Sequence, residues 1–185
     1  MTALEFEPTD APHMSLRDAL LLVAMLVLLS APEFSFAGPA PRASEQMRAA
    51  SLQCLRAEEQ RRGLPFGLLQ AIAQAESGMN AFAINRSNTN GSYDIGLMQI
   101  NSIHLPRLRA KGIEREHLWN PCVNAAVGAF ILQEFIARHG MTWKAVAAYN
   151  TGNPRARPTA AQRYVARVAR YWDAILRQHQ QGAPH

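Results

Sequence analysis

The 185-residue sequence has only two cysteines, Cys54 and Cys122, and no cluster of histidines lies near them at the spacing of zinc ligands. It has no internal repeat and no glycine-rich phosphate loop after a predicted strand. Its basic residues match no motif that reads nucleic acid. These absences argue against a zinc site, a nucleotide-binding domain and a repeat architecture. We therefore expect no metal, no cofactor and no nucleic-acid partner.

Long apolar runs are also scarce, and the longest, at residues 19–29, has eleven residues. A helix needs roughly 20 apolar residues to span a bilayer, so this run suits the core of a signal peptide instead. The small residues Ser35 and Ala37 predict cleavage after Ala37. Met14 is an alternative start, because the acidic residues before it make a poor signal n-region. An uncleaved membrane anchor is the alternative to cleavage.

Cleavage after residue 37 would leave 148 residues, enough for one domain with a sizeable core. Residues 1–37 hold one of the 19 basic and five of the 14 acidic residues, so the remainder has 18 basic and nine acidic residues, a net charge of +9. Such a charge suits an anionic polymer, an anionic lipid or nucleic acid, without choosing among them. We predict a signal peptide at 1–37, a spacer at 38–43, one domain at 44–180 and a tail at 181–185. The protein is expected to be exported to the periplasm, without stable membrane insertion after cleavage.

The two cysteines predict a disulfide between Cys54 and Cys122. Both lie in the part predicted to be exported, and an even cysteine count in an oxidising compartment favours pairing. The bond would close a loop of about 70 residues, which the chain-entropy model equates with about 4 kcal/mol of stability.

Apolar spacing predicts a mainly α-helical domain. Ser44 can cap a helix that ends at Gly63, and Pro65 suits the first turn of a second helix that carries Glu76. Further helices are predicted from Pro121 to Arg138, from Trp143 to Tyr149 and from Thr159 onward. Residues 83–100 break the pattern, and Asn90-Gly91 is a strong hairpin signal. The expected fold is mainly α (α+β), with a small β-hairpin beside the helix of Glu76.

Two carboxylates are candidates for acid–base chemistry. Glu76 shares a helix face with Leu69 and Ile72, and burial there would raise its pKa and keep it protonated, as an acid catalyst of glycosidic cleavage must be. Asp94, on the returning strand of the hairpin among polar turn residues, should stay ionised. Paired carboxyl groups in contrasting environments suit glycoside cleavage. The alternatives are a solvated glutamate near a helix end and an aspartate that only caps a turn.

Polar side chains after Asp94 suit the binding of a sugar. Gly96 permits close backbone approach, while Gln99 and Asn101 offer amides to hydroxyl and N-acetyl groups. Tyr149 offers an aromatic face with a hydroxyl. Met98 and Tyr149 are equally compatible with simple core packing.

These segments resemble, in order and spacing, the transglycosylase SLT domain of the lysozyme-like lytic transglycosylases, from about residue 52 to residue 172. The matching segments are Glu76-Ser77-Gly78, Gly96 to Asn101, Ala148 to Gly152, and Tyr164. The resemblance adds Ser77, Met98, Asn150 and Tyr164 to the expected substrate contacts. The cysteine pair, the asparagine-rich turn and the short length are most similar to the small members that serve secretion, conjugation and pilus systems.

The resemblance implies a lysozyme-like fold and cleavage of the MurNAc-GlcNAc β-1,4 bond of peptidoglycan. Glu76 would protonate the leaving oxygen and then take the proton of the sugar's own 6-hydroxyl, which attacks the anomeric carbon and leaves a 1,6-anhydro-muramic end. The cuts would open local gaps for a secretion or pilus apparatus, one of whose subunits would be a partner. Asp94 departs from the single-carboxylate arrangement of many transglycosylases, and a stabilising or nucleophilic aspartate would favour hydrolysis.

Two other functions remain open from the sequence: a lysozyme-type hydrolase of the same bond, and a non-catalytic wall-binding assembly module. An intact Glu76 argues against the second. Arg163, Arg167 and Arg170 recur along one face of the last predicted helix. They form either a solvated face or a surface that docks on the anionic wall or on an acidic partner.

Overall fold

The computed structural model describes residues 43–182 as six α-helices, two 3-10 turns and a small three-stranded sheet. The helices are α1 (Ala43–Arg62), α2 (Leu68–Ser77), α3 (Leu105–Arg109), α4 (Pro121–His139), α5 (Trp143–Thr151) and α6 (Pro158–Gln181). The strands are β1 (Ile84–Asn85), β2 (Asp94–Ile95) and β3 (Ile100–Asn101), and the 3-10 turns are Ser102–His104 and Arg115–Trp119. The predicted mainly α fold with a small β element is confirmed. The predicted signal peptide, most of the spacer and residues 183–185 of the tail lie outside the described residues.

Helix α4 lies at the centre of the helical packing. It packs against α1 on one side and α5 on another, while α6 packs against α2 and α5. Its start follows from local sequence, because the Asn120 side chain accepts the N–H groups of Cys122 and Val123 and Pro121 takes the first helical turn. Residues of α4 such as Leu132 are fully buried, as the apolar composition of this segment predicts.

Helix α2 begins at Leu68, three residues later than the sequence suggests from Pro65. Its N-cap is Gly67, at φ 77°, which has no side chain to satisfy the free N–H groups of the first turn. The buried carboxylate of Glu59, on α1, accepts the N–H groups of Gly67 at 2.9 Å and of Leu69 at 2.7 Å. Burial raises the pKa of Glu59, while these hydrogen bonds act in the opposite direction. A residue of another helix therefore supplies the missing cap.

The sheet is antiparallel, in the order β1-β2-β3. Asp94 on the central strand lies opposite Asn85 on one neighbour and Asn101 on the other. The connection from β1 to β2 runs from residue 86 to residue 93 and includes Gly91 at φ 76°. The predicted hairpin is therefore present with a long loop and with one further strand.

Asn124 of α4 attaches the sheet to the helices. Its side chain is fully buried, accepts the Met98 N–H at 2.8 Å and donates to the Ile95 carbonyl at 3.0 Å. Gly96 packs directly on this amide, since a Cβ atom at Gly96 would lie 2.3 Å from Asn124 Nδ2. Gly96 also has φ 76°, which L-residues rarely adopt, so glycine is required here for two reasons.

A disulfide joins Cys54 of α1 to Cys122 of α4, with the two Cα atoms 4.8 Å apart. The predicted pairing is confirmed. The last helix begins at Pro158, one residue before the predicted start at Thr159, and Arg157 is its N-cap residue. Within residues 43–182, no helix has the length and apolar character to cross a membrane.

Candidate active site

A polar cleft of about 600 Å³ lies where the end of α2, the sheet and its asparagine-rich loop, and the ends of α5 and α6 meet. Glu76, Asp94 and Asn150 are on its wall. The three lie on α2, β2 and α5, so the fold brings together segments that are up to 74 positions apart in sequence. The volume and polar lining suit an extended, hydroxyl-rich ligand.

Glu76 lies in the last turn of α2 and is partly buried. Burial raises its pKa to about 7, and the negative charge of Asp94 acts in the same direction. The Tyr164 hydroxyl donates to Glu76 Oε1 at 2.7 Å, and this bond, the charge of Arg167 and the amide of Asn150 oppose the rise. At neutral pH the protonated and ionised forms of Glu76 are therefore both populated, which suits a group that must give and take a proton.

Tyr164 is almost fully buried behind the carboxylate of Glu76. Burial and the nearby Glu76 charge raise the pKa of Tyr164 well above its ordinary value, so its hydroxyl stays a donor. The Arg167 guanidinium, one helical turn further along α6, lies 5.4 Å from the centre of the Tyr164 ring. Tyr164 and Arg167 thus form a polar backing for the acid.

Asp94 is held by three asparagine amides. Asn85 and Asn88 donate to Oδ2 at 2.9 and 3.0 Å, and Asn101 donates to Oδ1 at 2.6 Å. The Ser92 hydroxyl accepts from Asn88 and Asn101 as well. The carboxylate is therefore the centre of a network that orders the loop between β1 and β2.

The model of the transglycosylase SLT domain matches residues 53–170, which include every element of this cleft. The chain belongs to the transglycosylase SLT domain family. Members of this family are lytic transglycosylases.

Several curated proteins are similar to this SLT domain. Invasion protein IagB of Salmonella typhi is 46% identical over 102 residues, which cover 55% of this chain and 63% of IagB. Protein IpgF of Shigella sonnei is 40% identical over 123 residues, or 66% of this chain and 80% of IpgF. A peptidoglycan-binding-like protein of Escherichia coli O157:H7 is 45% identical over 92 residues, or 46% and 55% of the two chains. The chain thus spans less than two thirds of the length of the IagB relatives.

The structure places many of the predicted site residues of this SLT domain on the cleft wall: Glu76, Asp94, Gln99, Asn101, Tyr149 and Asn150. Tyr149 and Gln99 also bond to backbone carbonyls of the protein. The Tyr149 hydroxyl donates to the Met98 carbonyl at 2.9 Å, and Gln99 Nε2 donates to the carbonyls of Ala83 and Gly96. These polar atoms are therefore bonded within the protein.

Four predicted site residues, which are Ser77, Gly96, Met98 and Tyr164, have internal contacts instead. Ser77 Oγ donates to the Leu97 carbonyl at 2.7 Å and so ties α2 to the sheet. Met98 is fully buried against Gly128, where a Cβ atom would lie 2.7 Å from its sulfur. Tyr164 contacts the acid, and Gly96 contacts Asn124. These residues shape the cleft from behind, and direct contact with substrate stays a prediction for them.

Sequence reasoning left eight polar residues of the cleft out of the predicted site: Asn85, Asn88, Thr89, Asn90, Ser92, His104, Arg157 and Arg167. The asparagines were assigned only to a turn. Arg167 was grouped with Arg163 and Arg170, both of which are exposed, whereas Arg167 is half-buried in the cleft. Its spacing of three residues from Tyr164 is the available signal, because such residues share a helix face.

Proposed function

We propose that this SLT domain protein is a lytic transglycosylase that cleaves the MurNAc-GlcNAc β-1,4 bond of peptidoglycan and leaves a 1,6-anhydro-MurNAc end. The observation that carries the proposal is Glu76, a carboxyl group with a pKa of about 7 on the wall of a polar cleft. Membership of the SLT family supports peptidoglycan as the substrate class.

Glu76 can serve both proton transfers. In its protonated form it gives its proton to the leaving glycosidic oxygen while the bond to the anomeric carbon breaks. The resulting carboxylate is stabilised by the Tyr164 hydroxyl and the charge of Arg167. It then takes the proton of the 6-hydroxyl as that oxygen bonds to the anomeric carbon. The acid is restored and no water is consumed.

Asp94 is proposed as an electrostatic and positioning group rather than a nucleophile. Three amide N–H groups already occupy its oxygens, and these bonds reduce its tendency to attack carbon. Its negative charge can still stabilise the positive charge that develops on the sugar ring. This arrangement favours transglycosylation over the alternative, a lysozyme-type hydrolase in which the aspartate forms a covalent intermediate.

The biological setting is proposed from the relatives and the N-terminal sequence. A signal peptide at 1–37 would export the domain to the periplasm, where it would open local gaps for a secretion or pilus apparatus. The name of the relative IagB, an invasion protein, supports an association with a dedicated machine. The domain boundaries at 44 and 180 belong to the same proposal.

The test is the digestion of purified sacculi by a Glu76→Gln variant, followed as loss of turbidity. Glutamine keeps the acceptor for Tyr164 but has no proton to transfer, so activity should fall to no more than a few per cent of wild type. Glu116→Gln is the matched control, because Glu116 is exposed and lies outside the cleft. Substantial activity in the Glu76 variant would remove this residue from the acid role. Sacculus binding without cleavage by the wild-type protein would favour the wall-binding module.

A further inference from the structure

Two arginines of the cleft, Arg157 and Arg167, have no acidic partner. Neither forms a salt bridge among residues 43–182, where the ion pairs that do form involve other arginines. In addition, Arg167 Nε is buried and has no hydrogen-bond partner within the described part of the chain. A buried donor without an acceptor is unfavourable, and because Arg167 lines the cleft, a ligand there can supply the acceptor.

The acids of the same cleft form no salt bridge with either arginine. Glu76 is directed to Tyr164 and is protonated in part at neutral pH. The oxygens of Asp94 are bonded to the three asparagine amides. The guanidinium donors of Arg157 and Arg167 are therefore available to an anion that enters the cleft.

The two arginines lie on either side of the acid along α6. Arg157 is the N-cap residue, Tyr164 follows seven positions later, and Arg167 follows three positions after that. Ten residues of helix span about 15 Å along the axis. Tyr164, whose hydroxyl bonds to Glu76, lies between the two arginines along this helix.

The chemistry of guanidinium selects the ligand group. Arginine binds carboxylates through paired, charge-assisted hydrogen bonds, whereas amides suffice for sugar hydroxyls and acetamides. In peptidoglycan, carboxylates belong to the substituent of the muramic residue, either as the lactyl group or as the stem peptide attached to it. Building on the proposed function, we propose that Arg157 and Arg167 each provide a carboxylate subsite, which binds this substituent and selects strands that carry it.

Binding is measured in the inactive Glu76→Gln protein, so that no cleavage occurs. Three tetrasaccharide probes are compared: a GlcNAc-MurNAc fragment with stem peptides, the same fragment after amidase treatment, which has free lactyl carboxylates, and chitotetraose, which has none. Arg157→Gln and Arg167→Gln are added to this background. Arg163→Gln is the matched control, since Arg163 is exposed on the same helix and lies outside the cleft.

Each cleft variant should lose about tenfold or more in affinity for a carboxylate-bearing probe, the scale of one charge-assisted hydrogen bond. The affinity of each cleft variant for chitotetraose should stay unchanged. The Arg163→Gln control should bind all three probes as its parent does. Loss only with the peptide-bearing probe assigns the subsite to a carboxylate of the stem peptide, and loss only with the amidase-treated probe assigns it to the free lactyl carboxylate. Loss with both muramic probes shows that the subsite accepts either carboxylate. Arg167→Lys keeps the charge and should recover part of the affinity.

The subsite is refuted if either cleft variant binds both muramic probes as tightly as its parent does. It is also refuted if the affinity for chitotetraose falls to the same extent as that for the muramic probes. A failure of the proposed function would look different. In that case wild-type protein would leave sacculi intact, while the arginine-dependent preference for carboxylate-bearing probes would persist in the binding assay.

Discussion

Replacement of Glu76 by glutamine should stabilise the folded protein at alkaline pH relative to wild type. The folded-state pKa of Glu76 is about 7, whereas the ordinary value for the unfolded chain is 4.5. Below the lower value both states hold the proton. Between the two values only the folded state holds it, so wild-type stability falls as pH rises through this window. Above the higher value the folded protein must keep a partly buried charge.

The size of the effect follows from the two pKa values. A rise from 4.5 to about 7 corresponds to about 3 kcal/mol of differential stability between low and high pH. Glutamine does not titrate, and its carbonyl can still accept the Tyr164 hydrogen bond. The free energy of unfolding of the variant minus that of wild type should therefore increase by about 3 kcal/mol from about pH 4 to about pH 8.5.

The assay is urea unfolding of wild type and Glu76→Gln at several pH values across this range. Other groups with shifted pKa values, such as Glu59, are common to both proteins and cancel in the difference. Glu116→Gln again serves as the control. A stability difference for Glu76→Gln that does not change with pH would refute the raised pKa and, with it, the supply of a protonated acid at neutral pH.

Three further predictions concern the groups around the acid and the disulfide. Wild-type activity on sacculi should decline as pH rises through about 7. Tyr164→Phe should move this decline to higher pH, because it removes a hydrogen bond that lowers the pKa of Glu76. An unchanged pH–rate profile would show that Tyr164 does not affect the pKa of Glu76. Asp94→Asn should reduce activity less than Glu76→Gln does, and wild-type rates in that variant would leave Asp94 as a turn residue only. Reduction of the Cys54–Cys122 bond should lower the free energy of unfolding by about 4 kcal/mol, and an unchanged Tm in calorimetry would contradict this.

The parts of the fold that local sequence specifies were predictable. The Asn120-Pro121 start of α4 and the apolar face of α2 are set by neighbours in sequence, and both appear where the pattern predicts them. The start of α2 was not predictable in this way. Its cap is the Glu59 carboxylate of a preceding helix, a tertiary contact that no local motif records.

The candidate site shows the same division. The two acids were found from their sequence context, and the structure places both on one cleft. The contacts of Asp94 with Asn85 and Asn88 depend on the path of a long loop, which residue type alone does not determine. The place of Arg167 in the cleft was not predictable, because helical spacing gives relative directions, whereas the neighbour on each face is set by packing.

The most direct test of the central claim is the mass of the products released from purified sacculi by the wild-type protein. Transglycosylation by Glu76 predicts muropeptides that end in 1,6-anhydro-MurNAc and contain no added water, and the Glu76→Gln variant should release none of them. Products that are heavier by one water and end in a reducing sugar would show hydrolysis, and would contradict the mechanism proposed for this cleft.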